Sequence, residues 1–182
     1  FGKNCFIAPN ATVVGDVIMG DDCSIWFNAV IRGDVNFIRI GNKVNIQDGA
    51  CIHCTFKKTS TTIGNNVSVG HNAVVHGCVL HDNVLIGMGA IVMDNAIVHS
   101  NTIIAAGAVV LEGTVCAAGS IYAGVPAKKV KDISQFKLVG TGKGHWDAPQ
   151  IISGKAIYGI DVRLPGMLFA AIARCPIFGG AL

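Results

Sequence analysis

Three histidines, His53, His71 and His76, fall on a six-residue beat, and the beat sets where their imidazoles point. From Ile7 an aliphatic residue recurs at every sixth position: Val13, Met19, Ile25 and Ile31 follow. After a nine-residue step the beat resumes at Ile40, Ile46 and Ile52. The interruption Thr55–Thr62 separates Ile52 from Ile63, and Val69 and Val75 follow. One short rung at Leu80 leads on to Ile86, Val92, Val98, Ile104, Val110, Cys116 and Tyr122. If three hexads close one triangular coil, Ile31, Ile52 and Val75 share a face in successive coils. The residues after them, Arg32, His53 and His76, form a column up that face. Ile46 and Val69 share the neighbouring face, and two places after each come Asp48 and His71, a second column. Adjacent rungs lie about 5 Å apart, which suits two imidazoles, His53 and His76, on one metal. His71 points elsewhere within one chain. In a threefold trimer one chain's second column would meet the next chain's first, and His71 would complete a three-histidine site. Three neutral imidazoles and an open position are the ligand set of a catalytic zinc site.

The elements that must position these residues follow from the same beat. Hexads of this kind predict an all-β fold, a parallel β-helix over residues 1–127. Each hexad is one short strand and one tight corner, with the aliphatic residue pointing into a prism where stacked coils bury it. Four residues after most aliphatic positions stands a small or β-branched residue, such as Ala29, Ala50, Ala73, Ala90 or Ala108, where the chain must turn. Gly, Asn and Asp cluster between the hexads (Gly15-Asp16, Gly41-Asn42, Gly64-Asn65-Asn66), as corners with positive φ require.

A lone histidine in a globular domain is usually a surface residue or a satisfied core residue. Three histidines registered on two columns, beside Arg32, Asp34, Gln47 and Asp48, favour a shared chemical role. His81, His99 and His145 lie off both columns and read as ordinary. Cys51 and Cys54 bracket His53 as a CxxC, but without a second pair this is weak evidence for a separate metal site. Cys23, Cys78 and Cys116 sit inside regular hexads and read as packing residues.

At this point the residues carry a family signature. The runs Ile31-Arg-Gly-Asp34, Asn45-Ile-Gln-Asp48, Ile52-His53, Val69-Gly-His71 and Val75-His-Gly77 closely resemble the γ-class carbonic anhydrases, as do Leu85–Ala90 and Tyr122–Ala127. The resemblance covers residues 1–134. It implies a homotrimer of left-handed β-helices with metal between subunits, held by His53, His71 and His76. It implies Zn2+ as the cofactor, with Fe2+ or Co2+ as alternatives, and CO2 and bicarbonate as substrate and product. It implies that Arg32 and Asp34 form an interface ion pair, that Gln47 and Asp48 orient the reacting water, and that Tyr122 reaches the pocket. One departure stands out. The archetypal member carries glutamates on an acidic loop that shuttle the proton, and the corresponding Thr55–Thr62 contains no carboxylate.

The composition narrows the alternatives. The chain has 182 residues, 51% hydrophobic and 14% charged, with a net charge of +3. That length allows one domain plus an appendage. The charge is too small to imply nucleic acid, and no basic run with interleaved aromatics occurs. No signal, transit or membrane-spanning segment is evident. Seven cysteines without disulfide-framework spacing predict a reduced, cytoplasmic protein.

The beat stops after Pro126. Residues 128–135 read as a linker or the start of a truncated C-terminal helix. Residues 136–182 read as a foreign, irregular tail. The run Tyr158-Gly-Ile-Asp-Val-Arg-Leu-Pro-Gly-Met-Leu168 resembles the opening of the large molybdenum-cofactor subunit of xanthine-oxidase-type enzymes. In that family the cofactor-binding and catalytic parts lie far downstream, so no oxidoreductase activity is expected here.

Three functions remain in play: CO2 hydration at an intersubunit three-histidine site, an acyl-CoA-dependent acyltransferase or thioesterase on the same prism, and a non-catalytic trimeric module that keeps its metal. Hexapeptide acyltransferases need one catalytic histidine and a cleft for the pantetheine arm, not three registered histidines, so the first reading leads.

Overall fold

A computed structural model describes residues 1–135 and Pro165. Residues 1–135 lie within one compact unit, Phe1–Val139; the tail expectations for 136–182, the molybdenum-subunit resemblance among them, fall outside the described residues apart from Pro165. The unit is a parallel β-solenoid of about six turns, all-β and consistent with a left-handed β-helix. Its strands are mostly two or three residues long, because each hexad must both extend and turn.

The first face stacks Phe6–Ile7, Ser24–Ile25, Asn45–Ile46, Ser68–Val69, Leu85–Ile86, Ile103–Ile104 and Ser120–Ala123 in parallel. The second face stacks the leading parts of Thr12–Met19 and Val30–Ile40 with Cys51–His53, Val74–His76, Ile91–Val92 and Val109–Val110. The third face takes the trailing parts of the same two long strands, then Thr61–Ile63, Val79–Leu80, Ile97–Val98 and Val115–Cys116. The long strands round a corner and join the second and third faces into one ten-stranded sheet.

The beat is the core. Ile25, Ile31, Ile46, Ile52, Val69, Val75, Ile86, Val92, Val98, Ile104 and Val110 are fully buried, as are the corner residues Ala29, Ala50, Ala73, Ala90, Ala96 and Ala108. The prism can dispense with charged interior groups because each strand's amide and carbonyl groups bond to the coil above and below. Cys23, Cys78 and Cys116 are buried packing residues as expected, and the six described cysteines are unpaired.

The nine-residue step from Ile31 to Ile40 has a structural cause. Gly15 pairs Gly33 and Val17 pairs Ile38, so the four residues Asp34–Phe37 stand opposite the single Asp16, three residues of extra chain at the corner. Gly15 is left-handed (φ 81°), and a Cβ there would collide with the Gly33 backbone. The close approach of two glycine backbones lets the loop form, and the loop carries Asp34.

Residues 128–135 do not start an α-helix. Lys128–Asp132 folds back antiparallel on Ser120–Ala123, followed by a short 3-10 turn, Ile133–Gln135. The last parallel strand would otherwise present an open edge with unpaired backbone groups, and the returning strand covers it.

Candidate metal centre

The first column forms where the strand register puts it. His53 pairs His76 across adjacent coils, with ring centroids 5.2 Å apart. His53 Nδ1 lies 3.2 Å from His76 Nε2. The other nitrogen of each ring meets a carboxylate: His53 Nε2 lies 3.2 Å from Asp34 Oδ1, and His76 Nδ1 lies 2.8 Å from Asp94 Oδ1. An ionised carboxylate only accepts, so each of these contacts requires an imidazole N–H. A neutral ring has one such proton. With both rings neutral and protonated on their carboxylate sides, His53 Nδ1 and His76 Nε2 face each other as lone pairs.

Two lone pairs so placed repel unless a cation lies between them. Their 3.2 Å separation is close to the span of two ligands on a tetrahedral ion with bonds of about 2.0–2.1 Å. The guanidinium of Arg32 partly answers the charge, with Nη2 3.5 Å from His53 Nδ1 and Nη1 2.8 Å from Asp34 Oδ2. The residues present thus fit a divalent transition metal, and the carboxylates behind the rings are the usual outer partners of metal-ligating histidines.

Both carboxylates are held ionised. Partial burial opposes ionisation of Asp34, but hydrogen bonds from Arg32 and His53 outweigh it and keep its carboxyl below the usual range. Burial likewise opposes ionisation of Asp94, and hydrogen bonds from Thr55, His76 and Thr59 outweigh it with the same result.

The second column stands at the corner between the first and second faces. His71 Nδ1 lies 2.9 Å from Asp48 Oδ2. Each corner turns on a left-handed residue just after the functional side chain, Gly49 after Asp48 and Asn72 after His71. Asn72 Oδ1 sits where a Cβ on Gly49 would go, so Asp48 and His71 can stack only over a glycine. Beside them an open groove is lined by Ser24, Trp26, Asn45 and Gln47. Trp26 Nε1 donates to Asn45 Oδ1 at 2.8 Å, closing its floor.

The structure thus brings Arg32, Asp34, His53 and His76 together in one cluster and Gln47, Asp48 and His71 in another. Among the described residues of one chain, no group of three or more His, Cys, Asp and Glu side chains is placed to hold a metal. Tyr122 joins neither cluster. It is buried at the end of the core, its hydroxyl accepts the Ala117 N–H at 2.9 Å, and it lies three first-face strands beyond Val69, roughly 14 Å by strand spacing. Cys54 is also interior, its thiol donating to the Asn36 carbonyl at 3.5 Å.

Sequence reasoning missed Asp94. It stands two places after Val92, one place off the column whose next rung is Met93, so the hexad count did not point to it.

With the geometry described, comparison with known proteins decides the family. The description "Bacterial transferase hexapeptide (six repeats)" matches residues 1–33, 60–90 and 77–112. A Methanocaldococcus jannaschii protein named "Probable carbonic anhydrase" is 54% identical over 136 residues, which takes in 75% of this chain and 85% of that one. The chain belongs to the carbonic anhydrase-like family of hexapeptide-repeat proteins. Gamma carbonic anhydrase 2, mitochondrial, of Arabidopsis thaliana is 41% identical over 142 residues, 75% of this chain and 51% of that one, so the carbonic anhydrase-like chain spans about half the plant relative's length. Among solved structures, a hexapeptide transferase family protein from Anaplasma phagocytophilum is 40% identical with a TM-score of 0.68, over 71% of this chain and 75% of that one. This carbonic anhydrase-like prism is therefore also similar to a protein named for the hexapeptide transferase family.

Proposed function

We infer that the chain hydrates CO2 reversibly to bicarbonate at a metal held between copies, by His53 and His76 of one chain and His71 of the next. The observation that carries this reading is the pair of converging imidazole lone pairs, each backed by an ionised carboxylate. Family membership supports the same activity. Zn2+ is the proposed ion, with Fe2+ or Co2+ as alternatives; when bound, such an ion polarises water and lowers its pKa towards neutrality.

The chain's own residues do the rest. Asp34 and Asp94 hold the ring N–H groups of His53 and His76, and Asp48 stands beside the His71 ring. Arg32 keeps Asp34 in place. Gln47 and Asp48 stand at the groove mouth beside His71, where they can orient a water. Hydration releases one proton for each bicarbonate, and that proton must reach solvent. Thr55–Thr62 offers hydroxyls and no carboxylate, so transfer to buffer should limit turnover.

A homotrimer is the proposed assembly. The exposed residues around both columns support it: Val14, Met93 and Leu111 lie in line with Arg32, His53 and His76, and Phe27 and Met88 lie in line with Asp48 and His71. Polar ligands ringed by exposed apolar side chains resemble the centre and surround of a protein interface.

The test is metal analysis of the purified oligomer, followed by a CO2-hydration assay across buffer concentrations. About one ion per chain with buffer-dependent hydration supports the reading. Metal without hydration leaves the non-catalytic module. A well-folded oligomer without metal that acetylates an amine from acetyl-CoA would replace this reading with the acyltransferase, which the Anaplasma similarity keeps in view.

A further inference from the structure

The Thr55–Thr62 interruption is hydrogen-bonded to the segments that carry His53, His76 and Asp94. Thr55 Oγ1 donates to Asp94 Oδ2 at 2.7 Å, and Thr59 Oγ1 donates to Asp94 Oδ1 at 3.1 Å. The Thr55 N–H in turn donates to Thr59 Oγ1 at 3.0 Å, so the two threonines brace each other. Thr61, fully buried, donates to the His53 carbonyl at 2.6 Å and accepts the Gly77 N–H at 3.0 Å. It ties together the backbones just behind His53 and His76. Asn36 Nδ2 donates to the Thr59 carbonyl at 2.8 Å, linking the loop to the bulge that carries Asp34. Gly77 completes the arrangement: a Cβ there would collide with Asp94 Oδ1 and Thr59 Oγ1, so only glycine leaves room for the carboxylate to reach His76.

We propose that Asp94, held by Thr55 and Thr59 over Gly77, is a positioning residue that fixes His76 as its Nδ1–H tautomer and presents Nε2 as a lone pair before any ion or partner chain arrives. Both Asp94 oxygens are engaged by threonine hydroxyls, and Oδ1 also takes the ring. Neither oxygen is then free to swing away, and the ring's rotation and proton position follow. The loop lacks a proton-shuttling acid and instead supplies the outer wall that orients a ligand. The purpose of this clamp rests on the metal-site reading above; its geometry does not.

Nitrogen NMR of the metal-free full chain reads the tautomer directly, and zinc titration against a competing chelator reads the consequence. The wild type should show His76 protonated at Nδ1. Asp94→Ala should give a tautomer mixture and weaken zinc binding about 10–100-fold, the range typical of lost outer-shell partners. Asp94→Asn keeps an acceptor and should recover most of the affinity. Thr55→Val removes one brace without touching the ring and should give a smaller loss in the same direction, which separates clamping from misfolding should Asp94→Ala not fold. Wild-type His76 protonated at Nε2, or an unchanged tautomer and affinity in both Asp94→Ala and Thr55→Val, overturns the proposal. A fixed tautomer released by Asp94→Ala in a wild type that binds no zinc upholds the clamp and defeats the metal reading instead.

Discussion

The two histidine columns are built to different degrees. At the corner after the second face, His53 and His76 are only 14% and 32% exposed at the side chain, each is backed by a carboxylate, and a threonine-rich loop closes round them. At the corner after the first face, His71 is 47% exposed, its one carboxylate Asp48 is 44% exposed, and an open groove runs alongside. The first column is rigid because extra chain at two interruptions, Asp34–Phe37 and Thr55–Thr62, packs hydrogen bonds against it. The second stands on regular hexads with no spare chain. One copy thus carries a braced pair of histidines and a separate, solvent-facing third, the division expected if the proposed centre is assembled by two copies.

The largest expected effect tests that division. His76→Ala removes one of two converging lone pairs, and metal affinity should fall by more than about 100-fold, beyond the range typical of an outer-shell loss. His71→Ala should also lose metal. Co-expressing the two variants should restore part of the metal content, because an interface joining an intact first column to an intact second column can form in mixed oligomers. Metal analysis of the separated hetero-oligomer checks this, and no recovery would mean that the columns do not meet between chains.

Arg32→Ala comes next. It frees Asp34 and removes the cation beside His53, so sedimentation should show a shift from trimer towards monomer; an unchanged oligomer breaks the assignment of this column to the interface. Thiol labelling offers a milder test of how closed the first column is. Cys51 is half-buried on the outer face, whereas Cys54 is interior with its thiol pKa pushed up by burial, and burial raises Cys78 to about 12. Mass spectrometry after brief alkylation should find Cys51 modified well before Cys54 or Cys78, since the thiolate is the reacting form.

The smallest effect lies beside neither column. Arg39 hydrogen-bonds Asp16 and holds its carboxyl below the usual range. A depressed folded pKa stabilises above the unfolded value of about 3.9 and is lost as pH falls through the folded one. Asp16→Asn should lower Tm slightly near neutrality, and the difference should vanish in acid. A persistent difference in acid would point to packing in place of the ion pair.

Much of this was readable without coordinates. The pairing of Ile52 with Val75, and of Ile46 with Val69, follows from counting hexads, and His53, His76 and His71 fall into place with it. Tyr122 is a residue that the beat itself assigns to the interior, and its ring is buried at the end of the core. Residues 128–135 read as a linker or a helix start because their lysines say nothing of the sheet edge that Lys128–Asp132 covers. Asp94 was missed because it stands one place off the column, whose next rung is Met93, and reaches His76 only over Gly77.

The six-residue period alone determined which side chains are inside, which share a face and which stand one rung apart. It could do so because every coil repeats the same backbone path, so position along the chain converts directly into position in space. Only the tertiary structure decided what the irregular segments do. Asp34, Thr55, Thr59 and Thr61 lie where the repeat is broken, and their partners are set by how looped chain closes on a prism already formed. The proton positions on His53 and His76 belong to that second class, because they depend on which carboxylate each ring meets.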